Sequence, residues 1–276
     1  MPQIDQYDKN HDIIRHIIFN LIRKFNLEHR EEFGEMVICM DGNKNWRREQ
    51  FPFYKSSRRK NRKESKHDWE AIYTNLNQVR DEIKNTLPYR VIHVDRCEAD
   101  DCIGTIVERH HSEEPILIIS PDKDFVQLQR YPNVKQWSNI QKKWVTADVH
   151  PVVDLEEKVL KGDTGDGVPN ILSPDNCLAV GERQKMMTQK RLTLYKQGPD
   201  QMDEETLRRY HRNKMMIDLS QIPQKYQNQI LEEYNQEKTV GREHLFNYFI
   251  KKKLIKLHIS CSICVSNFDL WRYLTI

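Results

Sequence analysis

No stretch of this 276-residue chain is both long enough and free enough of charge to span a bilayer, which excludes a transmembrane-helix protein. No repeat unit recurs along it. Cysteine is scarce. Of six residues, Cys261 and Cys264 form a CxxC, but no second pair lies nearby, so a structural zinc site is not expected. Three of the six sit in or beside expected core elements, and no signal peptide opens the sequence; the expectation is reduced thiols in a cytoplasmic protein. A large net charge is also lacking: the balance is +3 at pH 7. Charged residues nonetheless make up 31% of the chain and are segregated, so their placement carries more than their sum. The length allows one large domain, or a domain with a smaller lobe.

What is present is organised around residues 92–124. Two short apolar runs, Val91–Val94 and Pro115–Ser120, are rich in Ile and Val and read as buried parallel strands. Between them Ile103, Ile106 and Val107 have helical spacing over Ala99 to Glu108. Acids follow both strands: Glu98, Asp100 and Asp101 after the first, Asp122 and Asp124 after the second. In open α/β sheets ligands bind at that end. Carboxylates gathered there repel one another unless a cation sits among them, and the hard ion suited to such oxygens is Mg²⁺ or Mn²⁺. The plain alternative is that Glu98 and Asp122 only cap helices.

The flanking chain fits an α/β domain. Residues 12–25 carry an apolar stripe of Ile13, Ile14, Ile17, Ile18, Leu21, Ile22 and Phe25 and read as a core helix. Residues 35–40 read as a strand, followed by Asp41. Residues 68–86 read as a helix, 125–130 as a short helix, and 133–138 with 143–146 as a further strand or hairpin. A helix carrying Val153, Leu155, Val159 and Leu160 stops at Gly162, and residues 183–195, 203–217, 223–237 and 241–256 read as charged helices.

Two further stretches carry chemistry. Residues 44–66 hold ten Lys or Arg against two Glu, interleaved with Trp46, Phe51, Phe53 and Tyr54. A solvated charge run is the common fate of such a segment. The interleaved rings suit phosphate neutralisation with base stacking, by a flap over the acidic cluster. Asp163 and Asp166 lie in a turn with Gly165 and Gly167. An ordinary helix-ending turn accounts for it; so would further metal ligands, with a Cβ-free backbone offering N–H groups to phosphate.

Three motifs occur in order: Glu98-Ala99-Asp100-Asp101, Ser120-Pro121-Asp122-Lys123-Asp124-Phe125, and Gly162-Asp163-Thr164-Gly165-Asp166-Gly167-Val168-Pro169. With Asp41, Trp46-Arg47-Arg48, Tyr54-Lys55, Tyr131 to Ser138 and Lys142 to Val145, they resemble the flap endonuclease (5′-nuclease) family over roughly residues 10–250, and within it the ribonuclease H branch of T-even-type bacteriophages. The resemblance implies a parallel-sheet, PIN-like α/β domain over 1–150 with a basic arch at 44–66. It implies a helical DNA-binding region over 151–256 containing a helix–hairpin–helix-type turn, and leaves 257–276 as a divergent tail. It implies a 5′-to-3′ nuclease that removes RNA primers and flaps using two Mg²⁺, with Mn²⁺ as a substitute. By resemblance, Asp41, Asp100 and Asp122 hold the first ion. Asp124, Asp163 and Asp166 surround the second, Glu98 serves either, and Asp101 supports them. Lys55 and Arg58 are the arch cations at the scissile phosphate. Arg47, Arg48, Arg59, Lys60, Gly165 and Gly167 join them on nucleic acid, and the 162–170 turn can hold K⁺. The implied partners are RNA–DNA hybrids and flap or duplex DNA, with a sliding clamp and a single-strand-binding protein. The implied state is a monomer in the cytoplasm, the host's if the chain is phage-encoded.

The family normally opens with an apolar strand ending in Asp before the helix at 12–25. Here that strand is missing, and Asp5 and Asp8 lie in polar sequence. Two explanations stay open: the sequence starts at an internal Met of a longer gene, which is the favoured one, or the enzyme is decayed or split. The second would leave a non-catalytic binder of branched or duplex DNA. A Mg²⁺ phosphatase for small phosphoesters is a remoter option, disfavoured by the basic run and the glycine turn.

Overall fold

The computed structural model describes residues 11–238 together with Val240 and Tyr248. The chain forms two compact units, each assembled from separated segments: residues 1–38, 65–92 and 234–276 in one, 39–64 and 93–233 in the other.

In the first unit, α1 (His11–Phe33) is longer than the 12–25 expected, because nothing interrupts it before Gly34, whose N–H closes on the Arg30 carbonyl at 2.8 Å. Its buried face is Arg15, Phe19, Ile22 and Phe25, while Ile17 and Leu21 face solvent. The stripe is therefore narrower than the isoleucine pattern implied. α4 (Trp69–Thr86) starts at Asp68, whose carboxylate accepts from Ala71 N at 3.0 Å, and buries Val79 and Ile83. Arg15 Nε bonds Glu82 Oε2 at 2.6 Å across the two helices. β1 (Val37–Cys39), which leads into the second unit, and β2 (Arg90–Ile92) form a two-stranded sheet.

The second unit carries the motifs. Its sheet orders β3 (Ile116–Ile119), β4 (Val134–Ser138) and β5 (Lys143–Trp144). β3 and β4 are parallel, with Ile116 opposite Val134 and Ile119 opposite Trp137; β4 and β5 are an antiparallel hairpin. The basic run contains two helices, α2 (Trp46–Gln50) and α3 (Ser56–Glu64). α5 (Ala99–His110) follows the first acidic motif, and a 3₁₀ segment (Lys123–Arg130) follows the second. α6 (Pro151–Lys161) packs on that 3₁₀ segment and on α9 (Glu204–Ile217). Leu160, Ile171, Leu172 and Leu192 form a buried cluster between α6 and α8 (Gln189–Tyr195).

The helix expected over 183–195 begins only at Gln189. Residues 184 and 185 are captured by tertiary hydrogen bonds instead: Asn170 N donates to Gln184 Oε1 at 2.7 Å, Asn170 Nδ2 to Lys185 O at 2.8 Å, and Lys185 N to Ser173 Oγ at 2.9 Å. A short α7 (Cys177–Val180) precedes them, and α10 (Gln224–Asn235) follows α9. Of the helix expected over 241–256 only Tyr248 is described; the rest of it, the tail, and Cys261 with Cys264 lie outside the described residues, as do residues 1–10. Cys39, Cys97, Cys102 and Cys177 are free thiols, and burial pushes the Cys97 thiol up to about 12. Among the described residues no helix is long and apolar enough to cross a membrane.

Candidate metal centre

The acids of the three motifs sit at helix starts and turns, where backbone N–H groups meet several of them. Glu98 is the N-cap of α5, and Asp100 and Asp101 occupy its first turn, where the helix N-terminus favours negative charge. Asp101 Oδ2 accepts from Glu98 N at 2.8 Å, and Asp41 Oδ1 accepts from Ala99 N at 2.9 Å. Asp122 caps the 3₁₀ segment, accepting from Asp124 N at 3.0 Å. α6 ends at Gly162, whose φ of 72° turns the chain so that Asp163 pairs with Val168; Asp163 Oδ1 then accepts from Asp166 N at 3.1 Å.

These turns bring Asp124, Asp163 and Asp166 together, with carboxylate oxygens within 4.8 Å of one another. Asp100 and Tyr54 line the same cleft. Asp41, Asp100 and Asp122 do not form such a trio among the described residues. Asp41 and Asp122 each spend an oxygen on a cap, as the plain alternative held for Asp122.

Cations already reach the cleft. Lys158 Nζ lies 3.0 Å from Asp163 Oδ2 and also pairs with Asp124 Oδ1. Lys55 Nζ is 2.5 Å from Glu98 Oε1 and 3.5 Å from Asp166 Oδ2. Arg58, on the exposed side, donates to Asp166 Oδ1 at 2.5 Å. The Tyr54 hydroxyl stands between Glu98 Oε2 at 2.8 Å and Asp166 Oδ2 at 2.9 Å. Lys55 has a φ of 52°, unusual for a side-chain-bearing residue, and its N–H is fixed on Asp166 O at 2.7 Å.

The electrostatics divide the acids into two kinds. Burial pushes the Asp100 carboxyl up to about 7, against the pull of Lys55, and the charges of Glu98, Asp122 and Asp124 add to the rise. Asp124 is also raised, by burial above all, although Lys158 opposes it. For Glu98, burial is outweighed by Lys55, Arg47 and Tyr54, so its carboxyl sits below the usual range. Asp163 is likewise lowered: Lys158 and the backbone N–H groups of Asp166 and Gly165 overcome its burial. Asp100 and Asp124 are thus the acids for which burial outweighs the neighbouring ammonium groups.

The structure corrects part of the nucleic-acid set. Arg47 is 2% exposed; it pairs with Asp101 Oδ1 at 2.7 Å and donates to the Met216 carbonyl at 3.0 Å, so it is an internal strut and not a phosphate contact. Trp46, Phe51 and Tyr54 are buried too, which removes them as base-stacking rings, and Trp46 Nε1 donates to Asp101 Oδ2 at 3.1 Å. The segment is therefore a folded wall in which only part of the charge faces water. Gly167 is buried with its N–H on Thr164 O at 3.2 Å, so it does not offer that group to a phosphate. Its φ of 74° and its closeness to Phe53 explain the glycine: a Cβ there would sit 2.9 Å from the Phe53 carbonyl oxygen. Gly165 is exposed, Arg48 is half-buried, and the side chains of Arg59 and Lys60 lie outside what is described.

Two site residues escaped the sequence reading. In the sequence Tyr54 is one of four rings among the cations, and nothing there marks its hydroxyl as a donor. Lys158 carries no signal of its own in the sequence, because a lysine near a helix C-terminus ordinarily answers the helix dipole. Only the packing of α6 on the 3₁₀ segment puts it beside Asp124.

The donor set suits a divalent ion. It is all carboxylate oxygen, gathered from two chain segments, and an ammonium group already bridges two of its members.

Residues 7–157 match the family described as 5′-3′ exonuclease, N-terminal resolvase-like domain, and residues 150–264 match that described as T4 RNase H, C terminal. The chain is 36% identical over 266 residues to ribonuclease H of Enterobacteria phage T4, spanning 92% of this chain and 87% of that one. It is 27% identical over 148 residues to flap endonuclease Xni of Shewanella piezotolerans, spanning 50% and 54%. Among solved structures, the bacteriophage T5 flap endonuclease in a pseudo-enzyme–product complex with DNA and metal ions aligns with a TM-score of 0.61 at 16% identity, over 80% of this chain and 91% of that one. The T5 5′-exonuclease with zinc bound aligns at 0.57, also at 16% identity, over 92% and 93%. These structures share the fold, a PIN-like α/β domain with a helical C-terminal region.

Proposed function

Because the chain belongs to the 5′-3′ exonuclease family, with a C-terminal domain of the T4 RNase H type, we propose that its acidic cleft is a two-metal centre hydrolysing phosphodiesters at duplex 5′ ends, flaps and RNA–DNA hybrids. The protein is a 5′-to-3′ structure-specific nuclease of the ribonuclease H and flap endonuclease type. The carrying observation for the metal centre is the convergence of Asp124, Asp163 and Asp166 within 4.8 Å, two motifs brought together across about forty residues.

Asp124, Asp163 and Asp166 are the residues to hold one ion. Asp41, Asp100 and Asp122, with Glu98, are those to hold the other. The hard oxygen set favours Mg²⁺, with Mn²⁺ as a substitute. Bound divalent ions supply an activated water and charge stabilisation at the phosphate. Lys55 and Arg58 already point into the cleft and would stabilise charge developing on phosphate oxygens. Tyr54, between Glu98 and Asp166, holds those two carboxylates in register. Asp101 acts from behind, fixing Trp46, Arg47 and the start of α5. Arg48, Arg59, Lys60 and Gly165 are the remaining candidates for backbone phosphate contacts, which give structure selectivity without reading bases. K⁺ at the 162–170 turn, and a sliding clamp and single-strand-binding protein as partners, belong to the same reading.

The test is cleavage of a 5′-labelled RNA–DNA hybrid and a 5′-flap substrate, with Mg²⁺ and with EDTA. Short 5′ products only with Mg²⁺, abolished by Asp124→Asn while binding persists, support the centre. Retained binding with no products under any divalent ion would leave a non-catalytic binder.

A further inference from the structure

We propose that the β4–β5 hairpin is a second nucleic-acid contact, on which Trp144 stacks a base of single-stranded DNA or RNA. Trp144 is 47% exposed, on the edge strand of the second unit's sheet. Its orientation is set by an edge-to-face contact with Trp137, the residue paired opposite it, at 5.1 Å between ring centres. Lys135 shares that face of the sheet by strand alternation, with its Nζ 5.9 Å from the Trp144 ring. Lys142 and Lys143 are exposed at the tip. Residues 134–146 carry these three lysines and neither Asp nor Glu.

A ring held against a second indole, left half in water and flanked by lysines suits a polyanion that offers flat apolar faces. Single-stranded nucleic acid fits; a duplex hides its base faces in the stack, and an acidic protein surface would use the lysines without the ring. The hairpin is also tied to the acidic centre. On the opposite face, Gln136 is 1% exposed and donates to the carbonyls of Ser120 at 2.9 Å and Asp122 at 2.7 Å. The hairpin that would carry the bound base on β5 therefore also braces the Asp122 loop through β4, and single-stranded arms would be held in fixed relation to that loop. The substrate's identity rests on the nuclease reading, but the test does not require cleavage.

The test uses the full chain in EDTA and measures binding by fluorescence anisotropy to a short single-stranded oligonucleotide and to a blunt duplex of the same length. Trp144→Ala is expected to weaken single-strand binding about tenfold and leave the duplex unchanged, while Trp144→Phe keeps most of the affinity because a ring remains. The double variant Lys135→Glu, Lys142→Glu should weaken single-strand binding and flatten its salt dependence. Single-strand affinity unchanged in Trp144→Ala, or an equal loss on duplex, overturns the proposal. Should Trp144→Ala fail to fold, the solvent-facing lysine pair decides, and unchanged binding there also overturns it. Failure of the nuclease reading is separable: it appears as absent Mg²⁺-dependent products with single-strand binding intact.

Discussion

The ammonium of Lys158 stands 3.0 Å from Oδ2 of Asp163 and pairs at the same time with Asp124. A side chain thus supplies positive charge between two carboxylates that the family relation makes candidates for a metal ion. Lys158→Met should leave both acids uncompensated and lower the metal-free stability by about 1–2 kcal/mol once solvent screening is allowed for. Mg²⁺ should then raise the melting temperature more in the variant than in the parent, since no ammonium competes for the oxygens. Thermal melts of both proteins with and without Mg²⁺ check this; equal Mg²⁺ shifts would refute the competition.

Arg47 separates the internal strut from a phosphate contact. It is 2% exposed and faces Asp101, which is wholly buried. Arg47→Met should cost about 3–5 kcal/mol, because it strands a buried carboxylate. A phosphate-contacting arginine would instead leave the melting temperature alone and reduce the salt slope of binding. Chemical denaturation and a salt titration of substrate affinity distinguish the two.

Asp100 makes the metal-free protein sensitive to pH. Burial first, and its neighbouring carboxylates second, raise its carboxyl from 3.8 to about 7. The folded state therefore holds a proton that the unfolded chain releases earlier. This group's stabilisation is full below about pH 4 and is lost as pH rises toward 7. Glu98 and Asp163 are lowered, so their contribution runs the other way and is lost as pH falls through their folded values, below the ordinary carboxylate range. Mg²⁺ should raise the melting temperature more above pH 7 than near pH 5.5, and calorimetry at the lower pH should register proton release on Mg²⁺ binding. A Mg²⁺ effect independent of pH would count against Asp100 as a ligand.

Gly167 is a close joint between the acidic turn and the basic wall. Its φ is 74°, and an added Cβ would fall 2.9 Å from the Phe53 carbonyl oxygen. Gly167→Ala should destabilise by about 2 kcal/mol, from the left-handed backbone and the contact together. It should also loosen the Lys55 N–H bond to Asp166 O, now 2.7 Å, and slow cleavage more than it weakens binding. Melting temperature and single-turnover cleavage rates test both parts.

The order of the acidic motifs, the α/β alternation and the helix-ending Gly162 turn are local properties: hydrophobic period, cap chemistry and glycine freedom act over a few residues, and they were readable from Val91 to Pro169. So was the family, since three motifs in order leave few alternatives. What tertiary structure alone decided was the partner of each charge. Nothing in the run 44–66 distinguishes Arg47, sunk against Asp101, from Arg58, half in water at Asp166. Lys158 and Asp124 are far apart in sequence and meet only because α6 packs on the 3₁₀ segment. The helix expected from residue 183 gave way because Asn170 and Ser173 bind residues 184 and 185 from outside it. Propensity is a sum over neighbours along the chain. Burial and ion pairing depend on neighbours in space, and only the packed chain chooses those.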